Sequence, residues 1–191
     1  MQGLNRFAFK EWAVVCEAIN LGRQSLILRK GGIHEGRDGF RVDHHEFWLF
    51  PTEFHQQPDV LSTAARPLLD EVQRRKPAPG TLAIQNYVVV EEVLELRDES
   101  LLPHLAGLHA WSESTLEARF RYRNPMLFAF LIRAYRLPEP QVLPDTPHYG
   151  GCRSWVDLSQ ELPTDLLIPV LPIANHRTQM DEIRRALAGE G

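Results

Sequence analysis

The chain has 191 residues, 43% hydrophobic and 24% charged, which bounds it to one globular domain with an ordinary core and excludes wholesale disorder. Its net charge of -4 excludes indiscriminate electrostatic attachment to DNA or to an anionic membrane surface, but not a local basic face. No run approaches the ~18 apolar residues of a membrane helix, and two cysteines without C-x-x-C spacing make neither a disulfide framework nor a zinc knuckle.

The N-terminal segment lacks the basic flank, apolar block and cleavage site of a signal peptide, so a reducing cytoplasm is the expected compartment. Trp12, Val15, Cys16 and Ile19 repeat with helical spacing, Gly22 is placed to end that helix, and Cys16 falls on its core face. A short buried strand from Ser25 opens into Arg29-Lys30-Gly31-Gly32, and a second strand spans Phe40 to Phe50 with Pro51 as its end. Leu61, Ala64, Ala65, Leu68 and Val72 form a helical stripe that Pro67 kinks or divides.

After the loop Lys76-Pro-Ala-Pro-Gly80, Leu82 to Leu96 reads as one long or bent strand. Ser114 and Glu117 have capping-box spacing for a short helix. A strand over Met126 to Leu137 is cut off by Pro138-Glu-Pro140, and a final helix starts at Asp181. The expectation is an α+β fold, a mixed sheet or small barrel flanked by helices. One domain spans 1–160, and 161–191 is a Pro-punctuated C-terminal extension with a short helix.

Four clusters carry chemistry. Arg29 and Lys30 before two glycines have the composition of a phosphate cradle, or of a hairpin turn. No Walker or G-x-G-x-x-G spacing is present, so no cofactor is expected. Asp43, His44, His45 and Glu46, with His55 beyond, form the densest polar stretch. Asp43, Glu46 and Lys30 supply the carboxylates and lysine of a metal-dependent phosphodiesterase; the other reading is a polar strand face with His55 bonded to a turn, and no metal is assigned.

Trp111 and Trp155, in loop-like contexts, suit a base-stacking cage, whereas Trp48 and Phe50 suit the core. Cys152 beside Arg153 and His148 has the makings of a nucleophile, but a buried structural cysteine is the preferred reading. Charge is segregated as well: Arg119 to Arg136 carries five arginines, including Arg121 and Arg133, and no acid.

Lys10-Glu11-Trp12, Arg29-Lys-Gly-Gly-Ile33, Phe47-Trp-Leu-Phe-Pro-Thr52 with His55-Gln56, and Tyr149-Gly-Gly-Cys-Arg-Ser-Trp155 together resemble a bacterial family of domains of unknown function, family 1802, over roughly residues 6 to 158. The resemblance implies the company of restriction-type endonuclease domains and a role around foreign or modified DNA. Val88 to Leu96, followed by Phe128 to Leu137 and Pro138-Glu-Pro140, is similar to the PUA-like group, small barrels that include readers of modified bases. The leading expectation is a nucleic-acid-binding module using Arg29, Lys30, His55, Gln56, Arg121, Arg133 and Trp155, with Arg29, Lys30, His55 and Gln56 around one concave surface. The alternatives are a metal-dependent nuclease and a protein-interaction domain; no membrane partner is expected.

Overall fold

Phe7, Phe9 and Glu11 alternate with Ala8 and Lys10, and in the computed structural model, which describes residues 3–30, 44–53 and 57–190, this run is strand β1 (Leu4–Trp12). The expected order of elements began with a helix; the strand ahead of it is a correction. Its alternation is interrupted by charged residues that find partners only in the folded chain. Helix α1 (Ala13–Asn20) follows directly, with every residue buried and Cys16 on the expected core face. Gly22 ends it at φ 69°, and a Cβ there would stand 2.6 Å from Leu171 Cδ2, so both backbone conformation and space call for glycine.

Strands β2 (Leu26–Arg29), β3 (Glu46–Thr52), β4 (Thr81–Leu96), β5 (Leu127–Pro144), β6 (Trp155–Pro163) and β7 (Ile168–Pro169) complete the sheet. The order is β2-β5-β4-β3-β1-β6, with β7 added to β5. Only β1 and β3 pair in parallel among these strands, so the sheet is mixed, as expected for this α+β chain. Helices α2 (Pro67–Arg74), α3 (Glu113–Arg121) and α4 (Ile173–Ala188) flank it.

Several boundaries depart from the expected ones for local reasons. Pro67 starts α2 at its first turn, where its missing N–H costs nothing, instead of kinking a longer helix. Ser112, not Ser114, caps α3 by accepting from Thr115 N–H. Pro51 lies within β3, and β5 runs on through Pro138 and Pro140. There residues 137–140 stand opposite Gln85 alone, a bulge in which the prolines break no ladder hydrogen bond. Helix α4 begins eight residues before Asp181 and ends at Gly189, φ 76°.

The strand path is open, yet it curls. Strands β2 and β6 are five steps apart in the order, about 24 Å in a flat sheet at ~4.8 Å per step. Nonetheless Arg29 at the end of β2 donates to Ser154 Oγ, just ahead of β6, at 2.9 Å. The sheet edges are thus joined by a side chain instead of a ladder.

The larger core gathers Phe9, Phe47, Val88, Phe130 and Leu26 with α1 and α3; Met180, Ile183 and Ala186 of α4 belong to it, so residues beyond 160 pack on the same core as those before. A smaller core on the opposite face holds Ala8, Trp48, Phe50, Tyr87 and Leu158. Among the described residues no helix is long and apolar enough to cross a membrane.

Asn5 pins the central strands. Its Nδ2 donates to Glu46 O at 3.1 Å and Tyr87 Oη at 2.9 Å, and its Oδ1 accepts from Phe7 N–H at 2.7 Å. Burial pushes the Tyr87 phenol up to about 12, so it is neutral at physiological pH. Asn5→Leu removes all three of these bonds, at about 1–3 kcal/mol for each group left unsatisfied, while Tyr87 keeps its bond to the Glu46 side chain. The expected outcome in urea unfolding is a lower midpoint at unchanged m-value.

Candidate nucleic-acid interface

Strand alternation and the β1–α1 junction send Lys10, Glu11 and Trp12 in three directions, and each anchors a distant segment. Lys10 points to the face of the smaller core. Its ammonium donates to Gly151 O at 3.0 Å and to Tyr149 O, and lies 5.9 Å from the centroid of the Phe50 ring. Desolvation, reinforced by Arg153, lowers its pKa. Lys10 thereby positions the Tyr149–Arg153 loop.

Glu11 points to the opposite face and is 3% exposed. Its Oε2 lies 3.3 Å from Arg29 Nη1, while Oε1 accepts from Trp12 N–H at 2.8 Å. Arg29 in turn lies 4.3 Å from the Phe9 ring centroid. Trp12, at the strand end, faces Trp111 and Arg119.

Along the same face of β1, Phe7 stacks on His44 with ring centroids 3.7 Å apart and an interplanar angle of 13°. Trp155 stands edge-on to His44 at 5.1 Å, to Phe9 at 4.7 Å and to Phe47 at 4.8 Å. Phe9 and Phe47 lie in the core behind Trp155, while Phe7, His44 and Trp155, with His148, Arg153, Val156 and Asp157, line a polar cleft of about 160 Å³. That is smaller than the ~300–1,000 Å³ of pockets that enclose a whole ligand, and suits one group of a larger molecule. The cleft places an aromatic face beside an exposed guanidinium and an exposed carboxylate, so it can stack a planar ring and hydrogen-bond its edge. Arg153 itself donates to His148 O at 3.3 Å.

The sequence-derived candidates are distributed unevenly around this site. Trp155 lines it and opens β6 instead of lying in a loop, whereas Arg29 does not line it and reaches its neighbourhood only through Ser154 and the Phe9 ring that Trp155 also packs on. Trp111, also expected in a loop, is buried at a bridge with Leu61. Lys30 donates to Phe120 O at 2.6 Å, Met126 O at 3.0 Å and Asn124 O, which secures the C-terminus of α3; burial lowers its pKa.

Arg121 pairs with Glu99, and with Glu117 at 3.2 Å. Arg133 lies 5.5 Å from the Tyr135 ring centroid and faces a separate hollow with Ser25 and His176. Asp43, Gly31, Gly32, His55 and Gln56 lie outside the described residues, so the expected grouping of Arg29 and Lys30 with His55 and Gln56 does too. Cys152 is exposed, which corrects the preferred reading of a buried thiol: Gly150 and Gly151 carry it on a surface loop. His45 is exposed, and Glu46 bonds Tyr87 on the smaller-core face, opposite the α3 side that holds Lys30. Among the described residues no group of three metal-ligating side chains gathers.

Sequence reading passed over Phe7 and Glu11 as individual residues, and took Arg119 only as part of the arginine-rich segment. The strict alternation Phe7, Phe9, Glu11 was the available signal, because it sets all three on one strand face.

A family model described as "Domain of unknown function (DUF1802)" matches residues 8–182. No curated protein matches the chain. Among solved structures, the crystal structure of ASCH from Zymomonas mobilis aligns at TM-score 0.46 and 12% identity, covering 81% of this chain and 87% of that one. A tyrosine-to-phenylalanine variant of the same protein aligns at TM-score 0.45 and 13% identity, with coverage of 81% and 90%. A serine-to-alanine variant aligns at TM-score 0.42 and 12% identity, with coverage of 96% and 99%.

Two expected outcomes follow from this geometry. Glu11→Ala strands Arg29 beside Phe9 and should cost about 3–5 kcal/mol of stability, whereas adding Arg29→Met should restore a large part of it; urea unfolding of both variants measures the coupling. Burial holds His109 at about 4, against 6.5 when solvated. Its depressed folded-state pKa means that its contribution is intact above pH ~6.5 and falls by about 1.4 kcal/mol per unit as the pH drops toward 4. His109→Asn, which can still accept from Trp111 N–H, should flatten that part of a stability–pH profile.

Proposed function

The chain belongs to DUF1802, a family of domains of unknown function, and we propose that it binds nucleic acid by holding an exposed base against Trp155 in the cleft. The observation that carries this reading is the aromatic lining of the cleft by Phe7, His44 and Trp155 beside the polar groups of Arg153 and Asp157. A base offers both of the features such a cleft recognises, a π-face and a rim of donors and acceptors. Duplex DNA withholds that face, so an unpaired or extruded base is the ligand group of choice.

Charge supports the same reading. With a net charge of -4 the chain makes few phosphate contacts, and stacking must supply much of the affinity. Arg153 is the cation of this site; Arg29 behind it is engaged by Glu11 and Ser154, and Arg121 and Arg133 act at most as outlying contacts, since one already faces two carboxylates and the other a separate hollow. The finer form of the proposal is recognition of a modified base in foreign DNA. It draws on the family resemblance and its company of restriction-type endonuclease domains.

Anisotropy titrations with single-stranded, duplex and base-modified oligonucleotides at low salt test the reading. Single strands should bind more tightly than duplexes, and Trp155→Ala should lose about 1–3 kcal/mol of affinity. Arg153→Ala, at an exposed position, should weaken binding without changing the melting temperature. Absence of binding to every oligonucleotide would remove the proposal.

A further inference from the structure

At the end of β1, beyond Glu11, Arg119 lies in the angle between two indoles. Its guanidinium carbon is 4.9 Å from the Trp12 ring centroid and 4.6 Å from that of Trp111, and the rings are tilted at 58°. Its faces are therefore occupied by aromatic surface, while its N–H groups have no carboxylate or carbonyl acceptor among the described residues. Burial lowers its pKa and Arg29 reinforces the shift, with Glu11 opposing, but a guanidinium stays charged at physiological pH.

Two more donors in the same cluster lack acceptors among the described residues. Trp111 is 5% exposed, and its Nε1–H is buried with no partner. His109 Nδ1 accepts from Trp111 N–H at 3.1 Å, which leaves the proton on Nε2, also buried with no partner. Among the described residues the charges that act on Arg119 are Arg29 and the carboxylate of Glu11, which Arg29 already pairs. Donors without acceptors amid excess positive charge define a site for an anion. A guanidinium held by its faces presents its edge to a tetrahedral or planar oxyanion.

We propose that Arg119, with Trp111 and His109, forms a phosphate subsite for the same nucleic-acid strand whose base enters the Trp155 cleft. This deepens the reading above and rests on it. Phe7 and Trp12 are five residues apart on β1, about 16 Å at ~3.3 Å per residue, a span that an extended strand of a few nucleotides covers.

The test follows the indole N–H resonances of the full chain during titration with inorganic phosphate and then with a short single-stranded oligonucleotide. Both should shift the Trp111 indole resonance. Arg119→Met should abolish the shift and reduce the slope of log K against log salt by about 0.7, the share of one phosphate on a single strand. Arg119→Lys, which keeps the charge and the stacking stem, covers the case in which the methionine variant does not fold; it should retain a weaker shift. A Trp111 resonance that neither phosphate nor oligonucleotide moves in the unsubstituted chain, with Trp155→Ala still impairing oligonucleotide binding, would overturn the subsite and leave the base cleft standing. A phosphate-induced shift that Arg119→Met abolishes, in a protein that binds no oligonucleotide, would support an anion site while removing the nucleic-acid reading.

Discussion

The fold depends on one buried ion pair, Glu11 with Arg29, because it ties β2 to β1 and holds Arg29 where it reaches Ser154 across the gap of a sheet that its backbone leaves open. Backbone pairing ends at β2 on one side and β6 on the other. Arg29 spans the gap by reaching Ser154, and Glu11 supplies the charge that lets a guanidinium lie against the buried Phe9 ring. A buried charge without its counter-charge is costly, so each member constrains the other. The seat of Trp155 over Phe9 is set by the β1–β6 pairing, in which the two are register partners, and the closure adds Arg29 against the same Phe9 ring.

The placement of the cleft follows from the geometry of β1. Alternation turns Lys10 and Glu11 to opposite faces, and the strand-to-helix junction frees Trp12 for the end. Three consecutive residues thus hold the Tyr149 loop, the β2 terminus and helix α3 around one strand. Segments more than a hundred residues apart in sequence share a neighbourhood for this reason, and the resemblance-bearing motifs meet there.

Electrostatics divides the molecule in a way its net charge conceals. Exposed pairs such as Arg184 with Glu92, Arg97 with Glu95 and Arg121 with Glu99 cancel charge over much of the surface and add little stability. Helix α4 is also linked to β4 through His176, whose Nε2 lies 3.2 Å from both Glu91 oxygens. Arg119 stands apart from this pattern, its charge offset by aromatic faces instead of an acid. An arginine-rich stretch is therefore a poor guide to a basic surface until each partner is known.

Local chemistry determined the elements whose signals lie within a few residues: the apolar period of α1 and its glycine stop, the burial of Cys16, and the β-branched length of β4. The same holds for an α+β chain with segments resembling a known family. Tertiary structure decided the rest. Strand β1 is stable because β3 and β6 flank it, Pro138 and Pro140 are tolerated because a bulge faces Gln85, and Cys152 is exposed because Lys10 holds its loop outward. The roles of Arg29, Lys30, Arg119 and Arg121 were illegible in sequence for one reason. A long cationic side chain takes its function from whichever carbonyl, carboxylate or ring the curled sheet brings within reach, and that choice is made across the whole chain.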